Sequence, residues 1–110
     1  MSGRLADMEA AWGTGDQVQC IHPLSACIAG REQVLASWKS VFGGGRLRIA
    51  LEDVRICAGE SEAFVTCVEV VDASEGEGRV AATNVFEKQQ GAWKMVLHHA
   101  SPLPRPLKFS

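Results

Sequence analysis

The chain has 110 residues, 46% hydrophobic and 22% charged, with 11 Lys+Arg against 13 Asp+Glu for a net charge of −2. That length makes one domain, able to bury roughly two-thirds of its unfolded surface without a metal or disulfide staple, and the composition excludes general disorder. The missing basic excess argues against nucleic acid as a partner, and no apolar run reaches the ~20 residues that span a bilayer.

Residues 2–12 are predicted to form an amphipathic helix. Ser2 is a suitable N-cap, Leu5, Met8 and Trp12 recur at helical spacing, and Gly13-Thr14-Gly15-Asp16 ends the run. Residues 17–21 alternate polar and apolar as a short strand, which His22-Pro23 stops because proline cannot donate to a ladder. Residues 24–29 return as a hairpin partner, and Gly30 turns the chain into a second helix over Arg31–Phe42. There Val34, Leu35, Trp38, Val41 and Phe42 form one apolar stripe, while Arg31, Glu32, Lys39 and Ser40 are left to water. Gly43-Gly44-Gly45 terminates the helix.

From Arg46 the hydrophobic period drops from 3.6 to 2. Leu47, Ile49 and Leu51 take odd positions, Val54 and Ile56 even ones. A one-residue slip of this kind predicts a β-bulge near Glu52-Asp53. Residues 62–72 are apolar on both faces, as expected of a strand inside a sheet. Glu69 interrupts them and is expected to face solvent or pair with an arginine. A turn over 74–78 leads to a strand over 79–89, Gln90-Gly91 turns it back, and a last strand covers 92–101. Alternation along it puts Trp93, Met95, Leu97, His99 and Ser101 on one face, taken as inward, and Lys94, Val96, His98 and Ala100 on the other. Pro102, Pro104 and Pro106 make 103–110 an extended tail. Helices followed by antiparallel strands give an α+β domain over 1–102. A bent sheet has a concave face, and Trp12, Trp38 and Phe42 supply the bulk to cover it.

Cys20, Cys27, Cys57 and Cys67 contain no C-x-x-C pair, hence no zinc or redox motif. Cys57 and Cys67 sit in apolar runs as small hydrophobes; Cys20 and Cys27 are spaced for a bridge across a loop, but nothing indicates an oxidising compartment. The N-terminus carries no apolar h-region, so the expected location is the cytoplasm, or an organelle stroma after loss of a presequence. No G-x-S-x-G elbow, phosphate-cradling loop or dinucleotide fingerprint is present, and no cofactor is expected.

An ordered set of strings runs through the chain: Trp12, then Val18-Gln19-Cys20-Ile21-His22-Pro23, Gly30-Arg31-Glu32 opening a helix with Trp38, Leu51-Glu52-Asp53-Val54, Thr83-Asn84-Val85-Phe86-Glu87, Gly91-Ala92-Trp93-Lys94 and His98-His99-Ala100-Ser101-Pro102. This set resembles the SnoaL-like branch of the nuclear-transport-factor-2-like superfamily. The resemblance implies a cone, a strongly curved mixed or antiparallel sheet packed on N-terminal helices in a cystatin-like roll, dimeric through the outer sheet face. It also implies a long first helix that closes the cone; residue 1 falls just before what corresponds to the second helix, so the first is expected to be missing, through truncation or because a partner chain covers the open side. Members include cyclases, isomerases and dehydratases as well as association domains, so the fold leaves function open. The tyrosine-based sets of ketosteroid-isomerase-type and scytalone-dehydratase-type members cannot be assembled, because the chain has no tyrosine.

Within that frame His99 reads either as a general acid/base at the cone mouth or as a hydrogen-bonded core histidine. His22 lies near the pocket or organises the turn before Pro23, and Asp53 is a carboxylate re-aimed by the bulge or a solvated charge. Trp12, His22, Trp38, Phe42, Trp93 and Leu97 are the expected pocket lining, and Thr83, Val85, Val96 and His98 the expected dimer face. His22, His99 and the cysteines lack the spacing of a metal motif. The leading expectation is a self-associating module, a homodimer, with a small apolar ligand pocket and no identified catalytic set. The alternative is a cyclase- or dehydratase-like lyase or isomerase acting on a hydrophobic carbonyl compound, with His99 as base and Asp53 or His22 orienting it.

Overall fold

The switch of hydrophobic period at residue 46 divides the structure in two. The computed structural model describes residues 4–74 and 76–104; the predicted Ser2 cap and the tail from residue 105 lie outside them. Before the switch come α1 (Arg4–Ala11), β1 (Gln19–Ile21), β2 (Ile28–Ala29) and α2 (Arg31–Phe42). After it come four long strands, β3 (Leu47–Ala58), β4 (Glu62–Ala73), β5 (Gly76–Gln89) and β6 (Ala92–Pro102). All six strands form one sheet in the order β2-β1-β6-β5-β4-β3. Every pairing is antiparallel except β1 with β6. The sheet is mixed and stays open, with β2 and β3 at its edges. β4 is paired along both edges, as expected of a central strand, but its outer face is not covered as its two apolar faces would suggest, Phe64 there being 47% exposed.

Two bulges bend the sheet. The first lies in β3 between Glu52 and Arg55, where Asp53 takes a φ of 51°. The second lies in β6: Val85 pairs with Leu97 and Phe86 with Met95, leaving Val96 without an opposite number. An extra residue reverses the side-chain alternation beyond it. Met95 and Val96 therefore both pack on the helical core, and His98 and Ala100 follow them inward. The expected inward position of His99 is thereby corrected: His99 is exposed and His98, 4% exposed, is buried.

The main core joins Trp12, Val18, Cys20, Val34 and Trp38, with Met8, Leu35 and Phe42 against them. A second cluster, Cys67, Ala82 and Ala100, forms a row across β4, β5 and β6 on the same face. Gly30, at φ 90°, makes the corner between β2 and α2, and its N–H donates to the Val18 carbonyl at 2.7 Å. A residue with a Cβ would be strained there. Arg31 is not left to water. Its guanidinium reaches back to the carbonyls of Glu9, Trp12 and Gly13 and closes the end of α1. All four cysteines are free thiols. The helices pack on β1, β2 and β6. The inner edge of β3 remains uncovered, with Leu51 58% and Ile56 70% exposed.

Candidate functional site

Six segments converge on one small cavity inside the curve. His22 and Pro23 come from the end of β1, Trp38 and Val41 from α2, Leu47 and Ile49 from β3, Glu69 and Val71 from β4, Val80 from β5 and His98 from β6. Its volume is about 190 Å³, below the roughly 300–1,000 Å³ that holds a drug-sized ligand. The walls are mainly apolar, and three titratable side chains meet there.

His22 is placed by the proline that ends β1. Its Nε2 lies 2.9 Å from Ser37 Oγ, and the Ser37 hydroxyl itself donates to the Val34 carbonyl at 2.6 Å. The single serine proton is thus committed, so His22 Nε2 must carry the hydrogen and donate. The Cys20 sulfur, 3.6 Å from the same nitrogen, is a weaker second contact. His98 Nδ1 donates to Asn84 Oδ1 at 2.6 Å across the β5–β6 register. Its ring meets Trp38 edge to face at 5.4 Å and lies 6.3 Å from the ring of His22.

Burial sets the charge state of these groups. It lowers the His98 pKa to about 4, helped by the neighbouring His22 and His99, and it also lowers that of His22. Both imidazoles are therefore neutral at neutral pH, with Nδ1 of His22 and Nε2 of His98 as lone-pair acceptors. Desolvation raises the Glu69 carboxyl above its ordinary range. Glu69 is half-buried on the cavity wall and, among the described residues, is paired with no arginine. Behind the wall, burial pushes the Cys20 thiol up to about 12. Trp38 pulls the other way, its indole N–H turned to that thiol without a hydrogen bond of full geometry.

The remaining expected site residues lie elsewhere. Asp53 is exposed at the β3 bulge beside Arg55. Together with His99 it lies outside the cavity, so His99, Asp53 and His22 do not converge. Trp12 is fully buried in the core, and Phe42 lines a neighbouring groove with Met8, Ile49 and Met95. Trp93 is 41% exposed at the far end of β6, with the Lys88 ammonium 5.3 Å from its ring centre. Leu97, by register, shares the outer face with Val85 and Thr83, whereas Val96 and His98 belong to the inner side. Among the described residues no group of three His, Cys, Asp or Glu side chains is arranged to hold a metal, and no helix is long and apolar enough to cross a membrane.

The sequence profile of the SnoaL-like domain matches residues 1–106. An F-box protein of Arabidopsis thaliana, SKIP8, is 32% identical over 98 residues. That match takes in 88% of this chain but only 42% of the relative's length. Two solved structures are similar throughout. A candidate dehydratase of the NTF2-like family from Streptomyces avermitilis is 29% identical with a TM-score of 0.84, covering 94% of this chain and 84% of that one. A candidate calcium/calmodulin-dependent protein kinase type II association domain from Thiobacillus denitrificans is 38% identical with a TM-score of 0.81, covering 94% and 85%.

Proposed function

We propose, because the chain belongs to the SnoaL-like family within the nuclear-transport-factor-2-like superfamily, that it is a self-associating module holding a small, largely apolar ligand in the cavity between His22, Trp38 and His98. One observation carries this reading: a cavity with aliphatic walls gathers three polar side chains, and two of them are fixed by hydrogen bonds that leave a ring nitrogen in reserve. Ligand sites have this composition, a mainly apolar lining with a few placed polar groups. The Thiobacillus relative's description as an association domain favours self-association, and the Streptomyces relative's description as a dehydratase favours a ligand inside the cone. The alternative lyase or isomerase based on His99 draws no support from the geometry, since a general base must reach its proton and its orienting partner in one site.

The test is a titration with cyclopentanol, followed through the NMR resonance of the Trp38 indole N–H. The expected result is a saturable shift of that resonance, abolished in Val80→Trp, where the larger side chain fills the cavity. Absence of a shift, or an equal shift in Val80→Trp, would sink the reading.

A further inference from the structure

The cavity is unusual in what its polar groups can accept and what they cannot give. Among the described residues Glu69 is the one carboxylate on its wall, and no lysine or arginine lines it. The neighbouring arginines are engaged at the surface: Arg46 with Asp72, Arg55 with Asp53, Arg79 with Glu52. Among the described residues no cation is paired with Glu69. The donor hydrogens of the two imidazoles are spent on Ser37 and Asn84, so the nitrogens left over are acceptors. Trp38 contributes an aromatic ring, with its N–H directed at Cys20 instead.

A carboxyl group and two imidazole lone pairs beside an aromatic ring make a set of acceptors with no complementary donor. A half-buried carboxylate without a partner is costly, and a ligand that supplies both positive charge and N–H donors relieves that cost. We infer that the ligand class of this cavity is a small alkyl- or cycloalkylammonium ion, its hydrocarbon body against Val41, Leu47, Ile49, Val71 and Val80 and its ammonium group on Glu69, within reach of the Trp38 ring. An ammonium has three N–H donors for the carboxylate and the ring nitrogens, and its attraction to an aromatic ring is strongest to tryptophan. An alcohol of the same shape has one donor and no charge. A carboxylate has none and meets a like charge.

The inference rests on the ligand-holding reading above, and the experiment separates the two. Cyclopentylammonium, cyclopentanol and cyclopentanecarboxylate are titrated into the protein at neutral pH, with the Trp38 indole N–H as the readout. The ammonium is expected to bind at least about ten-fold tighter than the alcohol, a difference of about 1.4 kcal/mol, and the carboxylate to give no saturable shift. In Glu69→Gln the preference of the ammonium over the alcohol is expected to disappear, and saturable binding of the alcohol that remains reports that the variant is folded. Glu69→Asp restores part of the preference. An ammonium that binds no tighter than the alcohol, or a preference that persists in Glu69→Gln, overturns the inference and leaves the cavity reading standing. Binding of none of the three overturns both.

Discussion

Asn84 and Ser37 hold the two histidines of the cavity in place. Each takes the one hydrogen that a neutral imidazole offers and so fixes its tautomer. The proton balance of His98 makes this testable. Its folded pKa of about 4 lies below the ordinary 6.5, so between these values the unfolded chain holds a proton that the folded one refuses. Stability is then complete above pH 6.5 and drains away as the pH falls toward 4. His22 acts in the same direction; Glu69, raised by burial, acts in the opposite one and gains stability on acidification. From His98 alone the expected loss between pH 7 and 5 is about 2 kcal/mol. Urea unfolding at the two pH values should show it, and His98→Gln should remove most of the difference. A wild-type protein equally stable at both, or an undiminished dependence in His98→Gln, contradicts the buried neutral histidine.

At the scale of elements, the two bulges show where sequence is legible. In β3 the apolar residues change phase, from Leu47, Ile49 and Leu51 to Val54 and Ile56, and the bulge falls where that change predicts, between Glu52 and Arg55. In β6 both phases are apolar through Trp93, Met95, Val96 and Leu97, so inserting Val96 leaves no mark in the pattern. Polarity does not separate His98 from His99 either, so a simple alternation that misses the bulge at Val96 turns the wrong histidine inward. The place of Glu69 is not legible either, because a charge in an apolar strand is most simply placed in water; the curve of the sheet brings it onto a wall. The helix Arg31–Phe42 and the succession of strands along the chain are plain from periodicity and glycine stops, but the parallel pairing of β1 with β6 is not. The role of Arg31 was not, since its partners Glu9, Trp12 and Gly13 are distant in sequence. An eight-residue helix such as α1 does not hold itself together in water, and this guanidinium satisfies the carbonyls at its end. Arg31→Ala should therefore cost about 2 kcal/mol, in the range of hydrogen bonds to a charged group. Amide exchange should accelerate around residues 8–13 while β4 and β5 keep their protection. Arg31→Lys, lacking the planar fork, should recover only part of the loss. Uniform acceleration across the sheet would instead assign Arg31 a role in global stability.

On the scale of the whole molecule, the sheet is covered on one side only in part and on the other not at all. Its outer face carries three rows by register that hold no carboxylate, lysine or arginine: Phe64–Val85–Leu97, Thr66–Thr83–His99 and Val68–Ala81–Ser101. Phe64 is 47% exposed there. The ion pairs Arg46–Asp72 and Asp53–Arg55 stand along its β3 side, and Arg79 of β5 reaches across β4 to Glu52. An apolar centre beside a charged rim is the anatomy of a protein interface. Four strands about 36 Å long at about 4.8 Å spacing present an area on the order of the ~800 Å² that each partner of a specific complex buries. A two-fold pairing of this face with itself is the simplest closed assembly it allows, and it would set two cavities on opposite sides of a double sheet. Val85 lies in the first of these rows, where a charge would be desolvated without a partner. Val85→Arg should weaken the proposed dimer by more than about 100-fold, equivalent to roughly 2.7 kcal/mol, and sedimentation equilibrium reads this directly. The melting temperature of the wild-type protein should rise with protein concentration, as mass action requires of a folded dimer, and that of Val85→Arg should not. A wild-type monomer at micromolar concentration, or a Val85→Arg dimer of undiminished affinity, would move self-association away from this face. The proposed ligand cavity, on the opposite side of the sheet, would be untouched by either result.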